Sequence, residues 1–347
     1  MTASGKPARL RVGACLSQSG QFARFGVQAA RALQVWADQH GNVDLVIEDD
    51  ESSPRSLENV LPRVAAQSDV LLGPYSTQLA RRAAQLAAQE GWLVWNHGGS
   101  GDDIETGYPG HCVSILTPTR QYADPYLRIL ATMDSGTLWI VRGRGSFGRH
   151  ITEGAHALAT ELGLLVQPIT ADEFATDDNL SANDWFLLSV GRFEDDIEIV
   201  RHAQALRQPP REICAVAAGV QEFGDQVAES DGIFGIAQWF PGNSAAPTLG
   251  PNETDFLRAY SAVGGATPDY PAIQAAAGAV IADHCVAVSG STSPSALWST
   301  AASLDASTLF GDFRIDPITG AQTKHITALV QWRDGRPARH DEGQGRD

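Results

Sequence analysis

Val70–Ser100, VLLGPYSTQLARRAAQLAAQEGWLVWNHGGS, decides how the chain reads. Val70–Leu72 is a short apolar run closed by Gly73-Pro74, the pattern of a buried strand and its turn. Tyr75-Ser76-Thr77 is polar and opens a helix expected over about residues 78–89. A second strand follows at residues 92–95, then a second polar loop, Asn96-His97-Gly98-Gly99-Ser100. Both loops leave the carboxyl ends of consecutive strands, the edge of an open parallel sheet where ligands bind. Ser76 or Thr77 is expected to cap the helix and to leave main-chain N–H groups free. The stretch therefore predicts a donor-rich cradle for a carboxylate or an amide, without a catalytic group.

The same alternation extends in both directions. Before it come a strand at residues 10–16, the loop Ser17–Phe25, a helix at 26–39, a strand at 43–48 and the acidic turn Asp49-Asp50-Glu51. Pro54 suits the first turn of the next helix. After it, a strand at residues 112–115 leads into Thr117-Pro118-Thr119, where the chain is expected to cross into a second half. There the strand–helix pattern restarts and runs to a strand at residues 233–239. Pro241-Gly242-Asn243 marks a second crossing, and a third is expected near Asp312. Three helical segments, an alternating stretch at 310–317 and a last strand at 326–332 complete the chain, with a polar tail from Asp334 expected to fray. Repeated βα units predict an α/β protein with parallel sheets covered by helices. The boundaries expected are 8–117 plus 243–311 for one lobe, 118–242 plus 312–334 for the other, and 335–347 for the tail.

Composition narrows the function. With 347 residues, 43% hydrophobic and 19% charged, the chain has enough apolar material for two cores. A net charge of −16 without a basic run disfavours nucleic acid and anionic membranes as partners. No apolar run of membrane-spanning length is expected, nor is membrane insertion. The polar start after Met1 lacks the apolar core of a signal peptide, which favours a cytoplasmic location. The alternative is a periplasmic or extracellular protein whose leader was removed. Cys15, Cys112, Cys214 and Cys285 show no CxxC spacing and read as small buried hydrophobes, with a disulfide left open.

Four motifs in order carry a resemblance: RVGACLSQSGQFARFG (residues 11–26), VIEDDESSP (46–54), LLGPYSTQLA (71–80) and FGDFRIDPITGAQTKHITALVQWRDGR (310–336). Together they resemble the leucine/isoleucine/valine-binding family of type I periplasmic binding proteins, solute-binding components of ABC transporters, from about Leu10 to Gly335. The resemblance implies two Rossmann-like lobes on a three-crossing hinge, closing on a small ligand in an interlobe cleft. It implies no catalysis, no cofactor and no metal. Its partners would be a small polar or amphipathic organic ligand (amino acid, amide or carboxylate) and an ABC permease. Relatives without a leader imply a cytoplasmic amide sensor acting on a regulatory protein.

Residue by residue, the resemblance gives Phe25 as an aromatic against the ligand, and Ser76 and Thr77 as a carboxylate-binding loop. Gly98, Gly99 and Ser100 complete that cradle, and His97 stands where a small residue is usual. Phe147 lies at the mouth of the second lobe, and Arg192 and Phe193 match a position facing the ligand. Amino-acid-binding relatives place a carboxylate after the strand at 213–217 to pair the ligand ammonium. Here the position reads Ala218-Gly219-Val220, and the nearest acid is Glu222. A buried ammonium without a countercharge is costly, so either Glu222 reaches in or the ligand is not an α-amino acid. Trp239 either lines the cleft or packs.

Plainer readings stand beside these. Ser76 or Thr77 caps a helix, Phe25 is a core aromatic, His97 anchors its loop through a ring N–H, and Glu222 is a solvated helix-start acid. Asp49-Asp50-Glu51 is loop charge favourable at a helix start rather than a metal cluster. Gly143-Arg144-Gly145-Ser146-Phe147-Gly148 matches G-x-G-x-x-G between a strand and a helix, with Asp172 and Glu173 downstream. It sustains an alternative, an NAD-dependent oxidoreductase. No G-x-S-x-G elbow, HExxH or Walker A loop is present.

Overall fold

The computed structural model describes residues 9–133, 136–176, 184–242, 246–264 and 267–340. The chain divides into two units. Unit 1 comprises Met1–Gly99, Asp103–Leu116 and Ser244–Lys324, and unit 2 comprises Ser100–Asp102, Thr117–Asn243 and His325–Asp347.

The first run of elements is β1 (Leu10–Leu16), α1 (Ala23–His40), β2 (Val43–Asp49), α2 (Pro54–Ala65), β3 (Val70–Leu72), α3 (Thr77–Glu90), β4 (Val94–Asn96), α4 (Asp102–Glu105) and β5 (Cys112–Ser114). The second run is α5 (Asp124–Leu130), β6 (Thr137–Arg142), α6 (Ser146–Glu161), β7 (Leu165–Thr170), α7 (Ala171–Phe174), β8 (Trp185–Val190), α8 (Phe193–Ala205), β9 (Glu212–Ala215), α9 (Phe223–Gln226) and β10 (Phe234–Ala237). Then come α10 (Glu253–Ala262), α11 (Tyr270–Ser289), α12 (Pro294–Ser303), β11 (Ala306–Thr308), β12 (Gly311–Phe313), β13 (Ala328–Arg333) and β14 (Arg336–Arg339).

Unit 1 holds a five-stranded parallel sheet in the order β2-β1-β3-β4-β5. Its strands are apolar on both faces because helices cover both. Leu57, Leu61 and Val64 of α2 and Leu79 and Ala83 of α3 pack on Cys15, Leu71 and Val94. α1 and α11 pack together on the opposite face. Alternation along β3 and β4 thus directs Leu71 and Val94 to one side and Leu72, Trp95 and His97 to the α11 side.

Unit 2 holds a seven-stranded sheet in the order β14-β13-β10-β9-β8-β6-β7. It is parallel except where β13 meets β10 and β14. The period of two is visible in β8: Phe186, Leu188 and Val190 face α5 and α6, while Trp185 and Leu187 face α8. Each such leucine contributes about 1.5–3 kcal/mol on burial.

The α/β class and its parallel sheets match the expectation. Several details do not. The third crossing falls between Lys324 and His325, not at 311/312. β12 pairs with β11, Ile315 bridges Gln322, and the Gln322 side-chain amide donates to Ile115 O at 3.2 Å, holding the whole segment on unit 1. Ser100 belongs with unit 2, where its hydroxyl lies 3.0 Å from that of Tyr122.

The expected tail does not fray at Asp334. Asp334 (φ 52°) and Gly335 (φ 68°) form a two-residue turn with both φ positive, and β14 folds back on β13. Asp-Gly is the residue pair such a turn favours. Among the described residues one helix, α11, is long and apolar enough to cross a membrane, where none is expected from the sequence. Its apolar residues are spent inside unit 1, where Ala272 to Ala277 and Ile281 are buried. Residue 8 of the expected first lobe, Asn243 of the expected crossing, and 341–347 of the expected tail lie outside the described residues.

Candidate functional site

In unit 1 the loops after β3 and β4 are built as one object. Ser76 caps α3, its Oγ accepting the N–H of Leu79 at 3.3 Å. It does so at φ 87°, a strained conformation for a residue with a Cβ. Its own N–H donates to the carbonyl of Gly98 at 2.8 Å, which ties the two loops together. Asn96 holds the second loop. Its Oδ1 accepts from Gly98 N at 3.3 Å and Gly99 N at 2.9 Å, and its Nδ2 donates to Gly99 O at 2.7 Å.

This corrects one expectation. The N–H groups of Ser76, Gly98 and Gly99 are consumed inside the site and are not offered to a ligand. The hydroxyl proton of Ser76 can still donate while its oxygen caps the helix. Tyr75, Ser76 and Thr77 are partly exposed, so the loop is reachable.

An aromatic wall stands beside the loops. Phe25 stacks on Tyr75 with centroids 4.5 Å apart, and Phe22 lies 6.2 Å from Tyr75. The Arg24 guanidinium lies 4.8 Å from the centre of the Phe25 ring. The hydroxyls of Tyr75 and Tyr270 are 2.8 Å apart, so the start of α11 is pinned to the β3 loop. Phe25 is thus both a buried aromatic and a neighbour of the loop.

His97 is fully buried, and neither ring nitrogen has a hydrogen-bond partner among the described residues. Burial drives its pKa down to about 4, opposed by main-chain groups of His97 and Gly73. The imidazole is neutral at pH 7.

The remaining predicted residues fall in unit 2. Phe147 opens α6 and meets Tyr122 edge-on at 5.5 Å. Arg192 is exposed, but its guanidinium is paired to Asp195 at 3.0 Å. Phe193 packs against the core beneath α8. Gly219 is buried, and a Cβ there would stand 2.1 Å from Ile236 O, so Gly219 itself admits no side chain. Glu222 lies immediately before α9 and is partly buried. Trp239 is buried, with its indole N–H unpartnered among the described residues.

The Gly143–Gly148 loop does not suit a dinucleotide. The N–H of Arg144 donates to the Asp195 carboxylate at 3.2 Å, placing an anion where a pyrophosphate would need donors. A cavity of about 290 Å³ beside Arg144 is lined by Asp172, Asp195 and Glu198 as well as Phe174 and His202. Three carboxylates there repel phosphate. Among the described residues no group of three His, Cys, Asp or Glu could hold a metal. All four cysteines are buried free thiols.

Sequence reasoning missed Tyr270 and Gln274 on α11. Nothing local marks them, since their helix reads as uniform core. Tyr75 was visible in the loop, but its partner lies 195 residues away.

A solute-binding protein from Rhodopseudomonas palustris BisB5, solved with 3,4-dihydroxybenzoic acid, superposes with a TM-score of 0.80 at 14% identity, covering 96% of each chain. A leucine-binding protein from Thermotoga maritima gives 0.82 at 13%, covering 96% of this chain and 98% of its own. An R. palustris solute-binding protein with benzoate gives 0.77 at 18%, covering 95% of each. No curated protein matches the sequence. A periplasmic binding protein family model matches residues 9–182. The chain belongs to the periplasmic binding protein family.

Proposed function

We propose that this protein binds a small polar or amphipathic organic molecule without transforming it, as the solute-binding component of an ABC transporter. The observation that carries the reading is the pair of interlocked loops after β3 and β4. The first loop carries the Ser76 hydroxyl and the Phe25–Tyr75 stack, and the second carries the unpartnered ring of His97. The combination offers a donor, an aromatic surface and a neutral hydrogen-bonding ring. The structural neighbours named above, solved with or named for aromatic carboxylates and leucine, support the ligand class. Gly219 itself can carry no countercharge for an α-ammonium, and the nearest acid along the chain is Glu222.

The test is a thermal shift on protein stripped of ligand by unfolding and refolding. The panel holds leucine, benzoate, 4-hydroxybenzoate and short amides. A ligand present at a hundred times its dissociation constant adds about 2.7 kcal/mol of stability. Ser76→Ala is expected to weaken the binding that the panel reveals. A panel without any shift sinks the proposal.

A further inference from the structure

The α11 side of the β4 loop holds more polar atoms than its neighbours satisfy. The Trp95 indole Nε1, both ring nitrogens of His97 and the Gln274 Oε1 are buried and find no partner among the described residues. They belong to one neighbourhood. Trp95 and His97 are two residues apart at the end of a strand and share a face. Gly278 of α11 lies opposite His97, since a Cβ built on it would stand 3.5 Å from the His97 Cβ. Gln274 lies one turn earlier on the same helix face. One further turn earlier, Tyr270 meets Tyr75 of the β3 loop. Gln274 therefore occupies the level between the two loops of the candidate site, at 1% exposure.

The chemistry of these atoms is specific. A neutral imidazole presents one donor and one acceptor, the indole presents a donor, and the amide oxygen presents an acceptor. None carries charge. A carboxylate, which only accepts, would satisfy the two donors and face two lone pairs. An ammonium, which only donates, would have the reverse defect. A carboxamide or a hydroxyl answers both kinds at once. A buried group of this kind left unpaired is costly, which favours a ligand group that pairs it.

We infer that Trp95, His97 and Gln274 form a polar seat for an uncharged group of the ligand, a carboxamide or a hydroxyl, and that this seat selects against the matching carboxylate. The inference rests on the binding function proposed above and names the ligand group that function selects. His97 stays neutral throughout the physiological range because its burial disfavours the imidazolium. It therefore cannot act as a countercharge for an anion.

Calorimetric titration of ligand-stripped protein at pH 7.5 tests this with matched probes, benzamide against benzoate and 4-methylvaleramide against 4-methylvalerate. The carboxamides are expected to bind at least about tenfold tighter, a difference of about 1.4 kcal/mol. Gln274→Met, close in volume, is expected to erase that preference. His97→Gln, which keeps a donor and an acceptor, is expected to retain more of it than His97→Leu. Melting temperatures of the variants identify any that fail to fold, and the remaining variants decide. Carboxylates binding as tightly as carboxamides, with Gln274→Met and His97→Leu both neutral, would show a seat filled by water only and overturn the inference. If Ser76→Ala still weakens binding in that case, the binding function stands without it. No heat from any probe overturns both.

Discussion

The N–H of Ser76 donates to the carbonyl oxygen of Gly98 at 2.8 Å, so the loops after β3 and β4 are one rigid piece. Gly99 is pressed against the same helix start. A Cβ there would stand 2.1 Å from the Cβ of Ala80 and 2.9 Å from Ser76 O. Gly99→Ala is expected to lower stability by about 1–3 kcal/mol through overpacking. Urea unfolding measures it, and an unchanged midpoint would show that the loops have slack.

Tyr75 and Tyr270 share a hydrogen bond at 2.8 Å, partly buried. Tyr75→Phe and Tyr270→Phe should each cost about 1 kcal/mol, because each removes the hydrogen bond between the two hydroxyls. The double variant should cost less than the sum of the two, a coupling that a double-mutant cycle reads. Strict additivity would mean that the hydroxyls do not depend on one another.

Two buried carboxyls give a pH dependence of known sign. Burial raises Asp196 to about 7 despite hydrogen bonds from Ser189 Oγ at 2.7 Å and Ala217 N at 2.9 Å. Burial likewise raises Asp50 to about 6 beside the Ser17 hydroxyl at 2.6 Å. An unfolded aspartate titrates near about 3.9. Between that value and 7 the folded chain holds more protons than the unfolded one, so these groups stabilise the fold most at the acid end. Their contribution falls as pH rises and levels off above 7. Urea midpoints between pH 4.5 and 8 should decline for this reason, and the Asp196→Asn variant should show a flatter slope. A slope unchanged by that substitution would remove Asp196 as its cause.

The β13–β14 hairpin depends on Asp334 and Gly335, both at positive φ. Gly335→Ala should cost about 1 kcal/mol, since the added Cβ disfavours the left-handed region. Its melting temperature should drop accordingly, and an unchanged value would mean that the hairpin adds nothing to stability.

The four cysteines are buried, and desolvation raises the Cys112 and Cys285 thiols to about 12 and the others further. Thiolate is the reactive form. A thiol reagent should therefore label none of them in the native protein and all four in denaturant. Fast native labelling of any one would show that its surroundings open.

Much of the site could be read directly. Ser76, His97, Gly98 and Gly99 sit in loops flanked by short apolar runs and turn residues, patterns that act over a few positions. The same patterns overstated what the loops offer. Free N–H groups were expected there, but Asn96 and Gly98 consume them, which no spacing in the sequence reveals. The Asp334-Gly335 turn was legible in principle, since the pair is a hairpin signal between two strand-forming stretches.

Local periodicity and turn chemistry determined the α/β class, the parallel sheets and the two loops at consecutive strand ends. These follow from interactions within ten or so residues. The tertiary structure alone decided the rest: that Lys324, not Gly311, ends the stay on unit 1, that α11 is core, and that Tyr270 and Gln274 stand at loops nearly two hundred residues earlier. Those outcomes depend on which side chains meet after the chain has folded, and a buried polar atom acquires its meaning only from the neighbours that satisfy it or do not.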